Sequence, residues 1–154
     1  MKNWQWLAIA LFALTTGLLV NTTMKKDFVT LDGEAHQWQD FEGSWVIVNY
    51  FARWCAPCLR EIPELNRFHV ENKSVPIFAI SFDPLSQEQL SELRDTYDIA
   101  FPILYSIESL PWPKAPNTLP HTIIIDPKGR VVKQLKGEQS AESLRQVLVE
   151  LQGP

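Results

Sequence analysis

The chain has 154 residues, 45% of them hydrophobic and 21% charged, with a formal net charge of −4. That length and apolar share suit one compact domain around one core. Mild acidity without a basic patch argues against nucleic acid as a partner, and no repeat or low-complexity tract is visible.

In chain order, the first feature is Trp4 to Val20, almost uninterrupted apolar sequence broken only by Gln5, Thr15 and Thr16. A bilayer span needs about 20 residues, with roughly 17 as the lower limit. Residues 1–24 therefore read as an N-terminal membrane anchor or a signal segment. No small-x-small cleavage site follows Leu18-Leu19-Val20-Asn21-Thr22-Thr23, which favours an uncleaved anchor. Lys2 stands against Lys25 and Lys26, so charge counting nearly ties, but long domains translocate largely regardless of such charges. The expected topology is an inner-membrane anchor with residues 25–154 in a bacterial periplasm, or a soluble periplasmic domain after cleavage. Protein disulfides persist in that compartment.

Phe28-Val29-Thr30-Leu31 and Ala35 to Trp38 read as a hairpin about Asp32-Gly33. After a turn at Asp40–Gly43, Trp45 to Phe51 is a continuous apolar strand, the mark of a central position covered on both faces. A helix is predicted from about Ala56 to Val70. Leu59, Ile62, Leu65 and Phe68 share its apolar face, and Pro63 should kink it. Val75 to Ser81 is a second buried strand, and Ser86 to Tyr97 a second helix. Phe101 to Leu104 is a short extended piece before a proline-rich loop, Ser106 to Leu119. Thr122 to Ile125 and Arg130 to Leu135 form a hairpin around Asp126-Pro127-Lys128-Gly129. Ser140 opens a last helix, through about Leu151. The order β-α-β-α-β-β-α, behind an added hairpin, predicts parallel strands with helical crossovers on both faces.

Trp54-Cys55-Ala56-Pro57-Cys58 holds the only two cysteines, at the predicted junction of strand and helix. Two thiols at this spacing can close and reopen a disulfide. A helix N-terminus lowers the pKa of the first, and the thiolate is the nucleophile. A structural zinc site usually needs four ligands, yet no second cysteine pair exists and His36, His69 and His121 are scattered. An inert disulfide would close too short a loop to constrain the unfolded chain much. Redox chemistry is the reading that remains.

This motif, the order of elements and Leu119-Pro120-His121-Thr122 before a late strand together resemble the thioredoxin fold. The closer resemblance is to its membrane-anchored, TlpA-like branch, which includes the periplasmic reductases of cytochrome c maturation. It covers roughly residues 27–152, and is densest over residues 46–65 and 119–129. It implies a thioredoxin-like α/β fold: a central mixed sheet, helices on both faces and an N-terminal β-hairpin extension.

The resemblance also implies roles. Cys55 would be the exposed nucleophile and Cys58 the buried resolving thiol. Pro120 would be the cis-proline facing the disulfide, and the Leu119 backbone would pair with a substrate strand. Trp54, Ala56 and Pro57 would complete the substrate-binding surface. Glu61 matches an acidic position that assists proton transfer in some relatives; the plainer reading is an exposed helix carboxylate. Asn49 stands where cytoplasmic-type thioredoxins carry a buried aspartate, and asparagine is frequent there in the TlpA-like branch. His121 reads as a hydrogen-bonded residue at a strand start.

Neither Ala56 nor Pro57 has a side-chain donor to stabilise a thiolate, so the site is expected to reduce protein disulfides. The expected partner is a protein disulfide substrate, and the resemblance implies a membrane electron donor; no cofactor beyond the Cys55–Cys58 pair and no metal are expected. Two alternatives differ in class. One is a copper-handling module using Cys55, Cys58 and His121. The other is a thiol peroxidase, which usually places threonine three residues before its reactive cysteine; this chain has Ala52 there.

Overall fold

The computed structural model describes residues 26–112 and 115–153. The predicted anchor or signal segment lies outside them. No helix among the described residues is long and apolar enough to cross a membrane.

Strands β1 (Phe28–Thr30) and β2 (Ala35–His36) form the N-terminal hairpin, and a 3-10 turn follows at Trp38–Phe41. Then come β3 (Val46–Phe51), α1 (Ala56–Glu71), β4 (Ile77–Ser81), α2 (Gln87–Tyr97) and β5 (Ile103–Ile107). The chain closes with β6 (His121–Ile125), β7 (Val131–Lys136) and α3 (Ala141–Gln152). The strands make one mixed sheet in the order β2-β1-β5-β4-β3-β6-β7. β3 lies within it, parallel to β4 and antiparallel to β6, and all its residues are buried. Its apolar run, broken only by Asn49, announced this doubly covered position. The piece expected at Phe101–Leu104 is a full strand two residues further on, paired with both β4 and β1.

The two faces differ from expectation. On one, Ile47, Phe51, Ile77, Ile103 and Ile124 meet Ile62, Leu65 and Phe68 of α1, Leu90 of α2, and Leu144 and Leu148 of α3. On the other, Val46, Val48, Tyr50, Phe78 and Ile123 are covered by Trp38, Phe41, Leu110 and Trp112. Among the described residues, then, the helices lie on one face and aromatic side chains from turns and loops cover the other. The crossovers β3→β4 and β4→β5 step the same way along the sheet. With a common right hand they fall on the same side.

Helix α1 runs through Pro63 without a break. Burial of Ile62, Leu65 and Phe68 contributes roughly 1.5–3 kcal/mol each. That outweighs the roughly 3 kcal/mol cost of an interior proline. Helices α2 and α3 start at Ser86 and Ser140, whose side chains accept from Gln89 N and Ser143 N.

Candidate active site

The chain leaves the buried end of β3 and enters α1 at Cys55, the N-cap residue. Pro57 occupies the first turn of the helix, where its missing N–H would have lacked an intrahelical partner anyway. The Cys55 Sγ accepts the Cys58 backbone N–H at 3.3 Å, so the sulfur lies at the positive end of the helix. Cys55 and Cys58 are joined as a disulfide, with Cα atoms 5.3 Å apart.

The expected contrast in exposure is small: Cys55 is 4% exposed and Cys58 1%. Both pack into the core on the helical face, and what projects instead is Trp54, 63% exposed. What distinguishes the two sulfurs is the helix cap rather than access. Ala56 is exposed and Pro57 half-buried. The Leu119–Pro120 bond is cis, and Leu119 packs against the cluster that contains both cysteines. Leu119, 61 residues after Cys58 in sequence, thus packs on the same core cluster as the redox pair. A groove of about 430 Å³ opens beside Trp54, lined also by Leu85, Leu93 and Tyr97.

Glu61 is not the exposed carboxylate of the plainer reading. It is 2% exposed, one helical turn beyond Cys58. Its Oε1 accepts from Asn49 Nδ2 at 2.9 Å and its Oε2 from Gln139 N at 2.8 Å. Burial pushes its pKa up from 4.5 to about 7; the Gln139 and Asn49 donors oppose that rise, and the nearby Glu138 carboxylate adds to it. A carboxyl so placed changes protonation near neutral pH, which suits it to exchanging a proton.

His121 is buried, and its Nε2 lies 3.1 Å from Gln134 Oε1. The copper arrangement fails on strand alternation. His121, Ile123 and Ile125 share a face, and Ile123 and Ile125 belong to the aromatic-covered side. The cysteines belong to the helical side. Among the described residues no group of three or more His, Cys, Asp or Glu could hold a metal ion.

Three participants escaped the sequence reading: Thr122, which accepts from Asn49, Gln139, and Asp83, which accepts from Trp54. Asn49 alone gave a signal. An amide inside an apolar strand requires partners, though not which ones.

The profile of the AhpC/TSA family matches residues 19–134. The chain belongs to that family. The thioredoxin-like protein YneN of Bacillus subtilis is 31% identical over 122 residues, covering 77% of this chain and 72% of that protein. The thiol-disulfide oxidoreductase ResA of Geobacillus thermodenitrificans is 30% identical over 142 residues, covering 89% and 80%. A putative thiol:disulfide interchange protein DsbE from Chlorobium tepidum superposes with a TM-score of 0.65 at 21% identity, over 84% of this chain and 96% of that one. Relatives and fold agree with the TlpA-like resemblance. With its redox pair, this member of the family is a thiol–disulfide oxidoreductase.

Proposed function

We propose that the protein reduces disulfides of other proteins outside the cytoplasm, with Cys55 as nucleophile, Cys58 as resolving thiol and Glu61 as proton carrier. The observation that carries this reading is the Cys58 N–H aimed at the Cys55 sulfur from the first turn of α1. That donor and the helix end favour a thiolate at Cys55 over one at Cys58.

In the reduced protein the Cys55 thiolate attacks one sulfur of the target disulfide. A Cys55–target mixed disulfide forms and one target thiolate leaves. Cys58, deprotonated, then attacks the Cys55 sulfur and expels the second target thiolate. The target gains two electrons and two protons, and Cys55–Cys58 is oxidised to the disulfide. Glu61, one turn from Cys58, accepts the Cys58 proton during the second step. Trp54, Ala56 and Pro57 form one wall of the target site. The Leu119 backbone, preceding Pro120, offers an edge to an extended target segment.

The reductive direction follows from Ala56 and Pro57. Neither supplies a side-chain donor, so the thiolate is stabilised by the helix alone. The expected potential lies near thioredoxin's value of about −270 mV, not near −120 mV. A reductant in an oxidising compartment must be recharged, which the apolar segment Trp4–Val20 would serve by holding the domain beside a membrane electron donor. Equilibration of the protein with glutathione buffers tests the direction: a potential above about −180 mV would make it an oxidant or isomerase. Trapping with Cys58→Ala tests the rest, since the mixed disulfide should persist on Cys55 and carry the target with it.

A further inference from the structure

Asn49 interrupts the apolar run of β3, where a valine or isoleucine would satisfy the core. Its side-chain NH₂ has two hydrogens, and each finds an acceptor: Glu61 Oε1 at 2.9 Å and Thr122 Oγ1 at 3.2 Å. All three residues are almost wholly buried, at 2%, 2% and 0% exposure. Thr122 is the register partner of Asn49 across β3 and β6, and it stands two residues after Pro120. Glu61 is therefore held from two sides, by a strand side chain on Oε1 and by the Gln139 backbone on Oε2.

We propose that Asn49 is a positioning residue for Glu61: its amide orients the carboxyl one turn from Cys58 and ties it to the strand that leaves Pro120. The proposal rests on the reading of Glu61 as proton carrier. An N–H donor stabilises the carboxylate over the carboxylic acid. Asn49 accordingly holds down a pKa that burial drives up, and keeps the group titrating near neutrality. Other charged groups around Glu61 are few. Glu138, on the loop after β7, raises its pKa and is itself paired with Arg60. Toward this side β3 and β6 present Asn49 and Thr122, neither of which titrates. On α1 the Glu64 carboxylate accepts from Ala141 N and pairs with Arg67. In the reduced protein the Cys58 thiol lies one helical turn before Glu61.

The test uses the full-length protein with ¹³C-carboxyl-labelled glutamate and the variants Asn49→Leu and Asn49→Ser. Leucine matches the volume without a donor; serine stays polar but is too short to reach, and serves if leucine fails to fold. Two midpoints are read for each: the Glu61 carboxyl by NMR, and the pH profile of disulfide exchange with dithiothreitol. The Glu61 midpoint should rise by about one pH unit on loss of a charge-assisted hydrogen bond, and the exchange profile should move with it. A Glu61 midpoint unchanged in a folded variant overturns the proposal. A carboxyl midpoint that rises while the exchange profile stays fixed supports the Asn49–Glu61 coupling and refutes Glu61 as proton carrier.

Discussion

The Trp54 indole Nε1 donates to Asp83 Oδ1 at 2.7 Å, and Asp83 Oδ2 accepts the Arg53 backbone N–H at 3.2 Å. One carboxylate, 29 residues beyond the tryptophan, thus fixes the most exposed large aromatic next to the redox pair. The loop after β4 braces the loop after β3, because the two strands end side by side with Phe51 opposite Ser81.

Asp83→Ala should release the indole. The interaction is exposed, so stability should change by less than about 1 kcal/mol. The KM for a protein disulfide should rise several-fold, about 1 kcal/mol of lost preorganisation, with little effect on dithiothreitol exchange. Equal effects on both substrates would remove Trp54 from target binding.

After reduction, iodoacetamide at neutral pH should modify Cys55 before Cys58. Burial is similar for the two, so the preference must come from the N-cap position and the Cys58 N–H. Peptide mass spectrometry of briefly alkylated protein reads this directly. Preferential modification of Cys58 would reverse the assigned roles.

Glu61 should make the protein less stable as pH rises. Its folded pKa of about 7 exceeds the ordinary 4.5. Between those values the native state binds more protons than the unfolded one, so ΔG of unfolding falls with increasing pH. The stabilisation is complete below about pH 4.5 and lost as pH passes 7, at up to roughly 3 kcal/mol. Glu61→Gln should abolish this slope. At about pH 4.5 it should also lower stability by about 1 kcal/mol, because an amide has one acceptor oxygen for the two donors, Asn49 and Gln139. Above about pH 7, where the wild type has lost the Glu61 contribution, the variant should be the more stable. Urea unfolding at intervals from pH 4.5 to 8 separates the two effects. Parallel curves for wild type and variant would mean that Glu61 has the same pKa in the folded and unfolded states.

Tyr50→Phe should cost about 1–3 kcal/mol. The Trp112 indole N–H donates to the Tyr50 hydroxyl at 2.8 Å, and both residues are buried. Phenylalanine fills the same space but leaves that N–H without a partner. Chemical denaturation checks the magnitude, and a loss below about 0.5 kcal/mol would show that the indole finds another acceptor.

Much of the fold was legible because its signals are local. The apolar run of β3, the Ser86 and Ser140 caps and the hairpin turn at Asp126–Gly129 each depend on neighbours a few residues away. The extent of β5 was not legible. Tyr105 to Ile107 lack a continuous apolar run, and their strand is completed by pairing with β1, at the other end of the domain. The single helical face was missed for a similar reason: alternation of strands and helices does not say in which direction successive strands are laid down.

By itself the sequence determined the redox pair, its seat at the start of a helix and the family, since a Cys-x-x-Cys after a buried strand is a contiguous signal. Tertiary structure alone decided what surrounds that pair. Whether Glu61 is a surface carboxylate or a buried one titrating near neutrality depends on Asn49, twelve residues before it, and on Gln139, 78 residues after it. Whether His121 can join the cysteines depends on which side of β6 it faces. A pKa is set by desolvation and donor placement in three dimensions, and both are products of how the sheet, α1 and the loop before α3 close on one another.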